Sequence, residues 1–268
     1  MKFILIEKTK KDKFLSLFQL IKLSTQYLHF SFQEEQIFIQ GMNKSHSCLF
    51  EIHFDYQWFD YIEKEILSFS IDSTIFSSIL SISSENQFLL MEYIENNEKL
   101  FLSYINNKEI ISYIPDYTFT ESTHYNKYFE IVLVEFEYEL LSIPNLDYDV
   151  ELSICPKIWN ELLTQMSIFA DKIMIKCNEK QIELHSIGDQ GTMKSNISID
   201  NIQEYSINEG EEINMSFNLN LLLKLTLTTK LSSSICMNFK KDYPLQLKYI
   251  FDKNTLIFYI SYMIDNDD

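Results

Sequence analysis

Apolar residues between positions 13 and 42 follow two different periods. One set is spaced i, i+3, i+4, i+7, which is the stripe of a helix that rests on a core. That stripe consists of Phe14, Leu17, Phe18 and Ile21. A second set alternates with polar residues, which is typical of a half-buried strand. That set consists of Leu28, Phe30 and Phe32. The pattern therefore predicts a helix and a strand, then a polar turn at 33–35 and a second strand from Gln36.

The same pattern recurs 145 positions further along the chain. The helical stripe reappears as Trp159, Leu162, Leu163 and Met166, and the alternating set as Ile173, Ile175 and Cys177. A second stripe, Ile71, Ile75, Phe76 and Ile79, reappears 146 positions later as Phe217, Leu221, Leu222 and Leu225. Two blocks in the same order at nearly the same spacing indicate an internal duplication. Each half is predicted to read helix, strands, helix, strands.

The segment 135–151, EFEYELLSIPNLDYDVE, separates the two halves. It is acidic, contains Pro144 and lacks a sustained helical or strand period, so we expect an extended connector, with an ordinary surface loop as the alternative. The predicted domains are 1–134 and 152–268. Further alternating segments predict strands at 88–94, 99–105, 129–135, 193–199, 235–239, 245–251 and 256–264. The expected fold class is α+β, with antiparallel sheets covered on one face by two helices per domain.

Composition supports a folded but strongly acidic protein. Apolar residues make up 46% of the 268 positions, which excludes disorder throughout the chain. The 22 basic residues, all lysine, face 39 acidic ones, for a formal net charge of -17. An evenly charged acidic surface would repel nucleic acid, so the placement of the lysines decides whether DNA can bind.

Motifs for catalysis or metal binding are missing from the sequence. No HExxH, GxGxxG, Walker or GxSxG motif occurs, and the four cysteines form no CxxC pair. We therefore expect no enzyme activity, no metal and no cofactor. No apolar run approaches the ~20 residues of a membrane helix, and the apolar stretch near the N-terminus is too short for a signal peptide. An intracellular protein with reduced thiols is expected.

Three patches carry a family resemblance, namely QGMNKSHSCLF at 40–50, part of the connector, and the segment from Tyr243 to Tyr249. They resemble the proliferating cell nuclear antigen (PCNA) family of DNA sliding clamps, and the first patch is similar to the central loop of that family. It matches at Met42, Ser45, His46 and Leu49, with Asn43 in place of Asp and Ser47 in place of Val. The connector keeps the family pattern at Leu141, Ile143, Pro144 and Tyr148. The third patch is Tyr243-Pro244-Leu245 followed by Leu247-Lys248-Tyr249.

The resemblance implies the DNA-clamp fold and a role in replication. Three copies would close into a ring around duplex DNA, without regard to base sequence, and would tether a DNA polymerase and other replication or repair proteins. A clamp loader would place the ring on DNA at sites of replication, in a nucleus or a viral replication compartment. Closure would pair the strand at 129–135 with the strand at 193–199 of the next copy, which removes two exposed edges.

The resemblance also implies two sets of site residues. The helices would line the hole and contact phosphates through Lys11, Lys13, Lys22, Lys157, Lys224 and Lys230. Where the family has several basic residues, this chain has Ser78, Ser81, Glu161 and Thr164. A partner pocket for a short peptide with a glutamine and two aromatic residues would be formed by Met42, His46, Leu141, Ile143, Pro144, Tyr148, Pro244 and Tyr259. Ser261 and Tyr262 replace the Ala-Pro of the family at the pocket rim.

Other interpretations remain open at this point. The chain could be one subunit of a heterotrimeric checkpoint-type clamp, which needs two different partners to close. It could also be a viral processivity or transcription factor that has the same fold but does not form a ring. An unrelated enzyme with duplicated domains is the remaining alternative.

Overall fold

The computed structural model describes residues 1–84, 87–95, 97–106, 113–114, 125–135, 139–226 and 230–264. These residues contain four α-helices and eighteen strands. The helices are α1 (Lys8–Ile21), α2 (Ser73–Leu80), α3 (Pro156–Met166) and α4 (Leu219–Leu225).

The strands of the first half precede residue 133. They are β1 (Lys2–Leu5), β2 (Tyr27–Phe32), β3 (Gln36–Met42), β4 (Cys48–Asp55), β5 (Tyr61–Glu63), β6 (Leu67–Asp72), β7 (Phe88–Tyr93), β8 (Lys99–Ile105) and β9 (Lys127–Val132). Those of the second half are β10 (Val150–Ile154), β11 (Lys172–Cys177), β12 (Gln181–Gly188), β13 (Gly191–Ser198), β14 (Glu204–Ile207), β15 (Ile213–Asn218), β16 (Ile235–Phe239), β17 (Leu245–Phe251) and β18 (Asn254–Ile260).

The chain divides into two compact units. The N-terminal unit comprises Met1–Gly41, Glu51–Leu140 and Asp252–Asn254, and the C-terminal unit comprises Met42–Phe50, Leu141–Phe251 and Thr255–Asp268. The main division falls after Leu140, inside the predicted connector 135–151. Two short segments depart from the sequence-based domain limits, because the 42–50 loop belongs to the C-terminal unit and the 252–254 turn to the N-terminal unit.

Each unit arranges its strands in the same order. In the N-terminal unit the orders are β5-β1-β7-β8-β9 and β4-β3-β2-β6, and in the C-terminal unit they are β14-β10-β16-β17-β18 and β13-β12-β11-β15. The strand pairs with described registers are all antiparallel. Helix α2 begins at Ser73 and α4 at Leu219, 146 positions apart, as the duplication predicts, but the first residues of the duplicated set, Ile71 and Phe217, lie in strands β6 and β15. The α+β fold with two similar halves is therefore confirmed.

The core of each unit lies between its helix pair and its sheets. In the N-terminal unit, Phe18 meets Phe76 edge-on with ring centroids 4.8 Å apart, and Phe14 meets Phe18 at 4.7 Å. In the C-terminal unit, Trp159 of α3 and Leu222 of α4 are both buried. Burial of such large apolar side chains is the main favourable contribution to folding.

Two buried tyrosines close the ends of the second helices. The Tyr104 hydroxyl of β8 donates to the carbonyl oxygens of Ile79 and Leu80 at 3.2 and 3.1 Å, and the Tyr249 hydroxyl of β17 donates to the Leu225 carbonyl at 2.8 Å. The last carbonyls of a helix have no partner within the helix, so these bonds satisfy them. Burial raises the pKa of both phenols, which keeps them protonated as donors. The two tyrosines are 145 positions apart, and each donates a hydrogen bond to the end of the second helix of its unit.

We expect the Tyr249→Phe variant to unfold at a lower urea concentration than the wild-type protein. The change leaves a buried carbonyl without its donor and should cost about 1–3 kcal/mol of unfolding free energy. The matched control is Tyr243→Phe, because Tyr243 is 41% exposed and should shift the midpoint by much less. Equal midpoints for the two variants would contradict the assigned role of the Tyr249 hydroxyl.

Candidate functional site

All eight residues of the predicted partner pocket fall within the C-terminal unit. Met42 and His46 come from the 42–50 loop, Leu141 to Tyr148 from the linker, and Pro244 and Tyr259 from the last third of the chain. The loop lies about a hundred residues before the linker in sequence, yet it groups with the linker and with the strands after it. The fact that all eight residues belong to one compact unit supports a shared site.

The 42–50 loop is held by the carboxamide of Asn43. Its Oδ1 accepts hydrogen bonds from the backbone N–H groups of Ser47 and Cys48 at 2.9 and 3.1 Å, and its Nδ2 donates to the Ser47 Oγ at 3.0 Å. A carboxylate in this place would supply the same acceptor oxygen. This explains how the loop keeps its hydrogen bonds with Asn43 where the loop pattern of the PCNA family has Asp.

His46 and Met42 lie side by side at the mouth of this loop. The His46 Nδ1 is 3.0 Å from the Met42 Sδ, and His46 adopts a left-handed backbone conformation with φ of 54°. The His46 side chain is exposed and Met42 is half-buried. The Ser261 N–H donates to the Ser47 carbonyl at 2.9 Å, which joins the loop to the chain that follows Tyr259.

The linker exposes apolar side chains. Leu141 is 44% exposed and Pro144 is also exposed, whereas Ile143 and Tyr148 are half-buried. Residues 139–148 adopt neither helix nor strand, so these side chains do not belong to a sheet face. Burial, and then the nearby Glu151 carboxylate, raise the pKa of Tyr148, so its hydroxyl stays a neutral donor. Exposed apolar residues on an extended segment are typical of a binding patch.

Two lysines anchor the end of the linker. The Lys240 Nζ donates to the Asp147 carbonyl at 2.7 Å, and the Lys241 backbone N–H donates to the Asp149 Oδ2 at 3.0 Å. The same lysines begin the turn that carries the exposed Pro244. The linker end around Tyr148 is thereby joined to the start of the turn that carries Pro244. This anchor was not predicted from the sequence, although two adjacent lysines and an acidic connector are a signal for it.

Hydrogen bonds join the segments of five of the eight pocket residues into two groups. One comprises the Met42–His46 loop and, through Ser47 and Ser261, the segment that follows Tyr259. The other comprises the segments of Tyr148 and Pro244, joined through Lys240 and Lys241.

One predicted DNA-facing lysine is buried. The Lys11 side chain is 6% exposed, and its ammonium group donates a hydrogen bond to the Gln87 carbonyl oxygen. A phosphate cannot reach an ammonium group that is used inside the protein. The expectation for Lys11 is therefore corrected, and this residue leaves the proposed DNA-facing set.

A second lysine, Lys13, is ion-paired. Its Nζ lies 2.7 Å from the Asp252 Oδ1, and the Trp58 Nε1 donates to the other Asp252 oxygen at 2.9 Å. Burial by itself would raise the pKa of Asp252, but the hydrogen bonds from Lys13 and Trp58 outweigh it and lower the pKa. Asp252 stays ionised and compensates the charge of Lys13. No sequence pattern relates two residues this far apart.

The other four predicted lysines are exposed. Lys22 directly follows α1, Lys157 lies in the first turn of α3, Lys224 lies in the last turn of α4, and Lys230 follows that helix. These four residues therefore stay in the proposed DNA-facing set. The charge of Lys224 also complements the negative end of its helix dipole.

The two strands predicted to join neighbouring copies are both at sheet edges. In the described part of the chain, β9 is the last strand after β8, and β13 is the last strand after β12. Strands β9 and β13 each begin two residues before the first residue predicted from the sequence. On β9, Tyr128 is 65% exposed and Val132 is 66% exposed. Exposed apolar residues on an unpaired edge are unfavourable in a monomer and suit a strand that pairs with another chain.

Cysteines and metal-ligating side chains are the other groups of chemical interest among the residues described above. Burial raises the pKa of the Cys48 and Cys177 thiols to about 12, so neither forms a thiolate near neutral pH. The residues that the structure describes contain no group of three or more His, Cys, Asp or Glu side chains placed to hold a metal ion. In the same residues, no helix has the length and apolarity to span a membrane.

Comparisons with known proteins agree with this architecture. Residues 142–264 match the family model described as the proliferating cell nuclear antigen C-terminal domain. A protein named DNA polymerase sliding clamp from Methanococcus vannielii is 22% identical over 240 residues, which are 88% of this chain and 90% of that protein. Proliferating cell nuclear antigen 2 of Drosophila melanogaster is 22% identical over 239 residues, which are 88% of each chain.

A solved structure shows the same fold. The crystal structure of PCNA from Thermococcus kodakaraensis matches with a TM-score of 0.82 at 13% identity, over 98% of this chain and 99% of that one. The predicted clamp fold is thereby confirmed. The C-terminal domain match, the full-length relatives and the shared fold all agree with the three sequence patches found independently. Residues 142–264 thus resemble the PCNA C-terminal domain, and the whole chain is similar to PCNA-type sliding clamps in sequence and in fold.

Proposed function

We propose that this protein is a sliding clamp that acts as a DNA polymerase processivity factor. The observation that carries the proposal is the duplicated unit, with its two helices and repeated strand order, in a chain related over 88% of its length to a protein named DNA polymerase sliding clamp. The protein acts as a scaffold that tethers other proteins to DNA and catalyses no reaction of its own. Its place of action is the site of DNA replication.

Self-association would close the clamp into a homotrimeric ring. The edge strand β9 of one copy pairs with the edge strand β13 of the next, as a head-to-tail contact that closes after three copies. The exposed Tyr128 and Val132 support β9 as one side of this contact. Pairing would cover both edges and remove the aggregation hazard that each one presents.

Duplex DNA would pass through the ring without any recognition of its base sequence. The exposed Lys22, Lys157, Lys224 and Lys230 would contact phosphates. Lysine suits this task because its mobile point charge imposes no bidentate geometry on the phosphate. A protein that surrounds DNA is retained by its topology, and it therefore needs no specific base contact.

Partner proteins would bind through a peptide in the partner pocket. The exposed Leu141 and Pro144, the anchored linker and the Met42–His46 pair support a groove on the C-terminal unit. A short peptide with a glutamine and two aromatic residues would form one helical turn and place its apolar side chains there. The polymerase and the clamp loader would be the main proteins that contain such peptide segments.

The proposed function is tested by solution mass and by retention on DNA. We expect sedimentation to give three times the chain mass of 31.9 kDa, and we expect retention on nicked circular DNA that is lost when the circle is cut. A monomer that neither remains on circular DNA nor stimulates a polymerase would refute the proposal. Self-association only in the presence of two different relatives would instead favour a heterotrimeric clamp, and DNA binding that does not depend on circularity would favour a factor that forms no ring.

A further inference from the structure

One sheet of the C-terminal unit carries lysines on the face that points away from the core. The sheet has the strand order β13-β12-β11-β15, and its other face contributes buried residues such as Ile173 and Leu184 to the core. Side chains alternate between the two faces of a strand. On β11 the half-buried Lys172, Met174 and Lys176 therefore share the outer face.

The strand registers place these lysines around an apolar centre. Met174 lies opposite His185 of β12, and His185 lies opposite Lys194 of β13. Lys172 and Lys176 lie two residues to either side of Met174, which is about 7 Å along a strand. Three lysines thus surround one methionine. We call this set the lysine face, which consists of Lys172, Met174, Lys176, Glu183, His185 and Lys194.

The carboxylate of the lysine face is held by its neighbours. The Glu183 Oε2 lies 3.0 Å from the His185 Nε2 and 3.3 Å from the Lys194 Nζ, and its Oε1 accepts a hydrogen bond from the Gln181 Nε2 at 2.7 Å. The hydrogen bonds from His185 and Lys194 lower the pKa of Glu183, so this carboxyl group stays ionised near neutral pH. Because three lysines face one carboxylate, the lysine face is net positive in a chain whose formal net charge is -17.

The duplicated face of the N-terminal unit differs in charge. Its sheet has the order β4-β3-β2-β6, and the two lysines of β11 are replaced, 145 positions earlier, by Tyr27 and Ser31 of β2. Strand β4, which takes the place of β13, carries the carboxylates of Glu51 and Asp55. The four strands of that sheet, all within the described residues, contain no lysine. Since one copy of the sheet forms without lysines, the common fold does not require them in the other copy.

We propose that the lysine face binds an acidic peptide segment of a partner protein. Carboxylates of the segment would lie beside Lys172, Lys176 and Lys194, and an apolar side chain would cover Met174. Ile187, which is 66% exposed on the same face of β12, extends the apolar area. Opposite charge favours this encounter, whereas the net negative charge of the whole chain repels an acidic segment at long range.

This proposal goes beyond the clamp function, because it requires neither DNA nor a closed ring. Strand pairing at the edge of β13 would use backbone groups in the plane of the sheet. The lysine side chains project out of that plane, so ring closure would leave the lysine face accessible.

A peptide suits this face better than nucleic acid does. A phosphate chain that followed the lysines would pass the Glu183 carboxylate, which repels it. Sheets that bind single strands stack bases on exposed aromatic rings. Apart from His185, the four strands of this sheet, which are fully described, contain one aromatic residue, Phe217, and it is buried.

The experiment uses short acidic peptides without glutamine or aromatic residues, so that they lack the features expected of ligands for the partner pocket. Each peptide in the set consists of aspartates and glutamates with one leucine, placed at a different position in each, and carries a fluorescent label. Anisotropy measures their binding to the full-length chain between about 0.05 and 0.5 M NaCl. We expect binding that weakens as the salt concentration rises, because salt screens ionic contacts at a surface.

Variants of the lysines test the charge. K172Q/K176Q/K194Q should weaken peptide binding by about tenfold, because three surface ion pairs are lost. K172R/K176R/K194R retains the charges and should bind as the wild-type protein does. Far-UV circular dichroism checks that both variants keep the fold.

Two further variants complete the test. K8Q/K64Q/K253Q removes the same charge at exposed lysines of the N-terminal unit and should leave the affinity within about twofold of the wild-type value. M174S should weaken binding by a smaller factor than K172Q/K176Q/K194Q, because it removes the apolar centre and leaves the charges.

Three results would overturn the inference. The first is failure of the whole peptide set to bind the wild-type chain, and the second is equal weakening by K8Q/K64Q/K253Q. The third is binding of labelled single-stranded DNA, in place of the peptides, that K172Q/K176Q/K194Q abolishes, which would assign the lysine face to nucleic acid. Because the peptides are tested without DNA, none of these results bears on the retention experiment that tests the proposed clamp function.

Discussion

The double variant Y128K/V132K should be a monomer that is no longer retained on nicked circular DNA. Both residues lie on the edge strand β9, where they are 65% and 66% exposed in the single chain. In the proposed ring they are covered by the neighbouring copy. Burial of an aromatic or branched side chain contributes about 1.5–3 kcal/mol, so two losses at each junction should weaken it by more than about 100-fold.

The added lysines increase this effect. An ammonium group brought into a contact without a partner must lose its water, and that loss opposes closure further. Because both side chains are exposed before assembly, the fold of the single chain should be unaffected. Sedimentation velocity measures the mass, and far-UV circular dichroism checks the fold.

A matched control distinguishes an interface from a general effect of added charge. The variant I66K/I250K places two lysines at exposed isoleucines, 73% and 47% accessible, that belong to neither β9 nor β13. It should keep the mass and the DNA retention of the wild-type protein. A Y128K/V132K protein that still sediments as a trimer would exclude β9 as the ring contact.

The double variant L141S/I143S should lose binding to a peptide that carries a glutamine and two aromatic residues. The two side chains lie on the linker, where Leu141 is 44% exposed. Loss of about 1–2 kcal/mol of apolar contact at each position should raise the dissociation constant by about 30- to 1,000-fold. Calorimetric titration of a synthetic peptide into the protein measures this change.

The neighbouring leucine provides a close control for this test. Leu140 is 46% exposed, almost the same as Leu141, and lies outside the predicted pocket. L140S should bind the peptide as the wild-type protein does, whereas L141S alone should bind it more weakly. Equal weakening by the two single changes would mean that the linker binds through general apolarity and that the assigned pocket is wrong.

The duplicated elements were predictable from sequence because each is buried on one face. Strands β8, β16 and β17 have the predicted limits of 99–105, 235–239 and 245–251, since buried and half-buried residues alternate along them. Strand β4 was missed, as its first five residues are all buried. A strand covered on both faces has no alternation to detect. Strand β10 was partly hidden inside the acidic connector, and it begins at Val150.

The candidate site was less predictable than the fold. Lys11 lies three residues before Phe14 and seven before Phe18, which is the same helical stripe, so its burial follows from the periodicity although a lysine was not expected there. The Lys13–Asp252 pair and the Lys240 anchor of the linker depend on chain segments that only the fold brings together. Periodicity predicts which face of a helix or strand a residue lies on, but it does not identify the residue that it contacts in the folded chain.

Asn43 gives the loop at the partner pocket an unusual resistance to acid. An aspartate in its place would begin to take up protons near its ordinary pKa of about 3.9 and would weaken as an acceptor for the two backbone groups that it holds. A carboxamide has no proton to gain over this range. The shape of the loop should therefore persist during acidification, so that any failure of peptide capture at low pH would originate in the peptide or in other side chains.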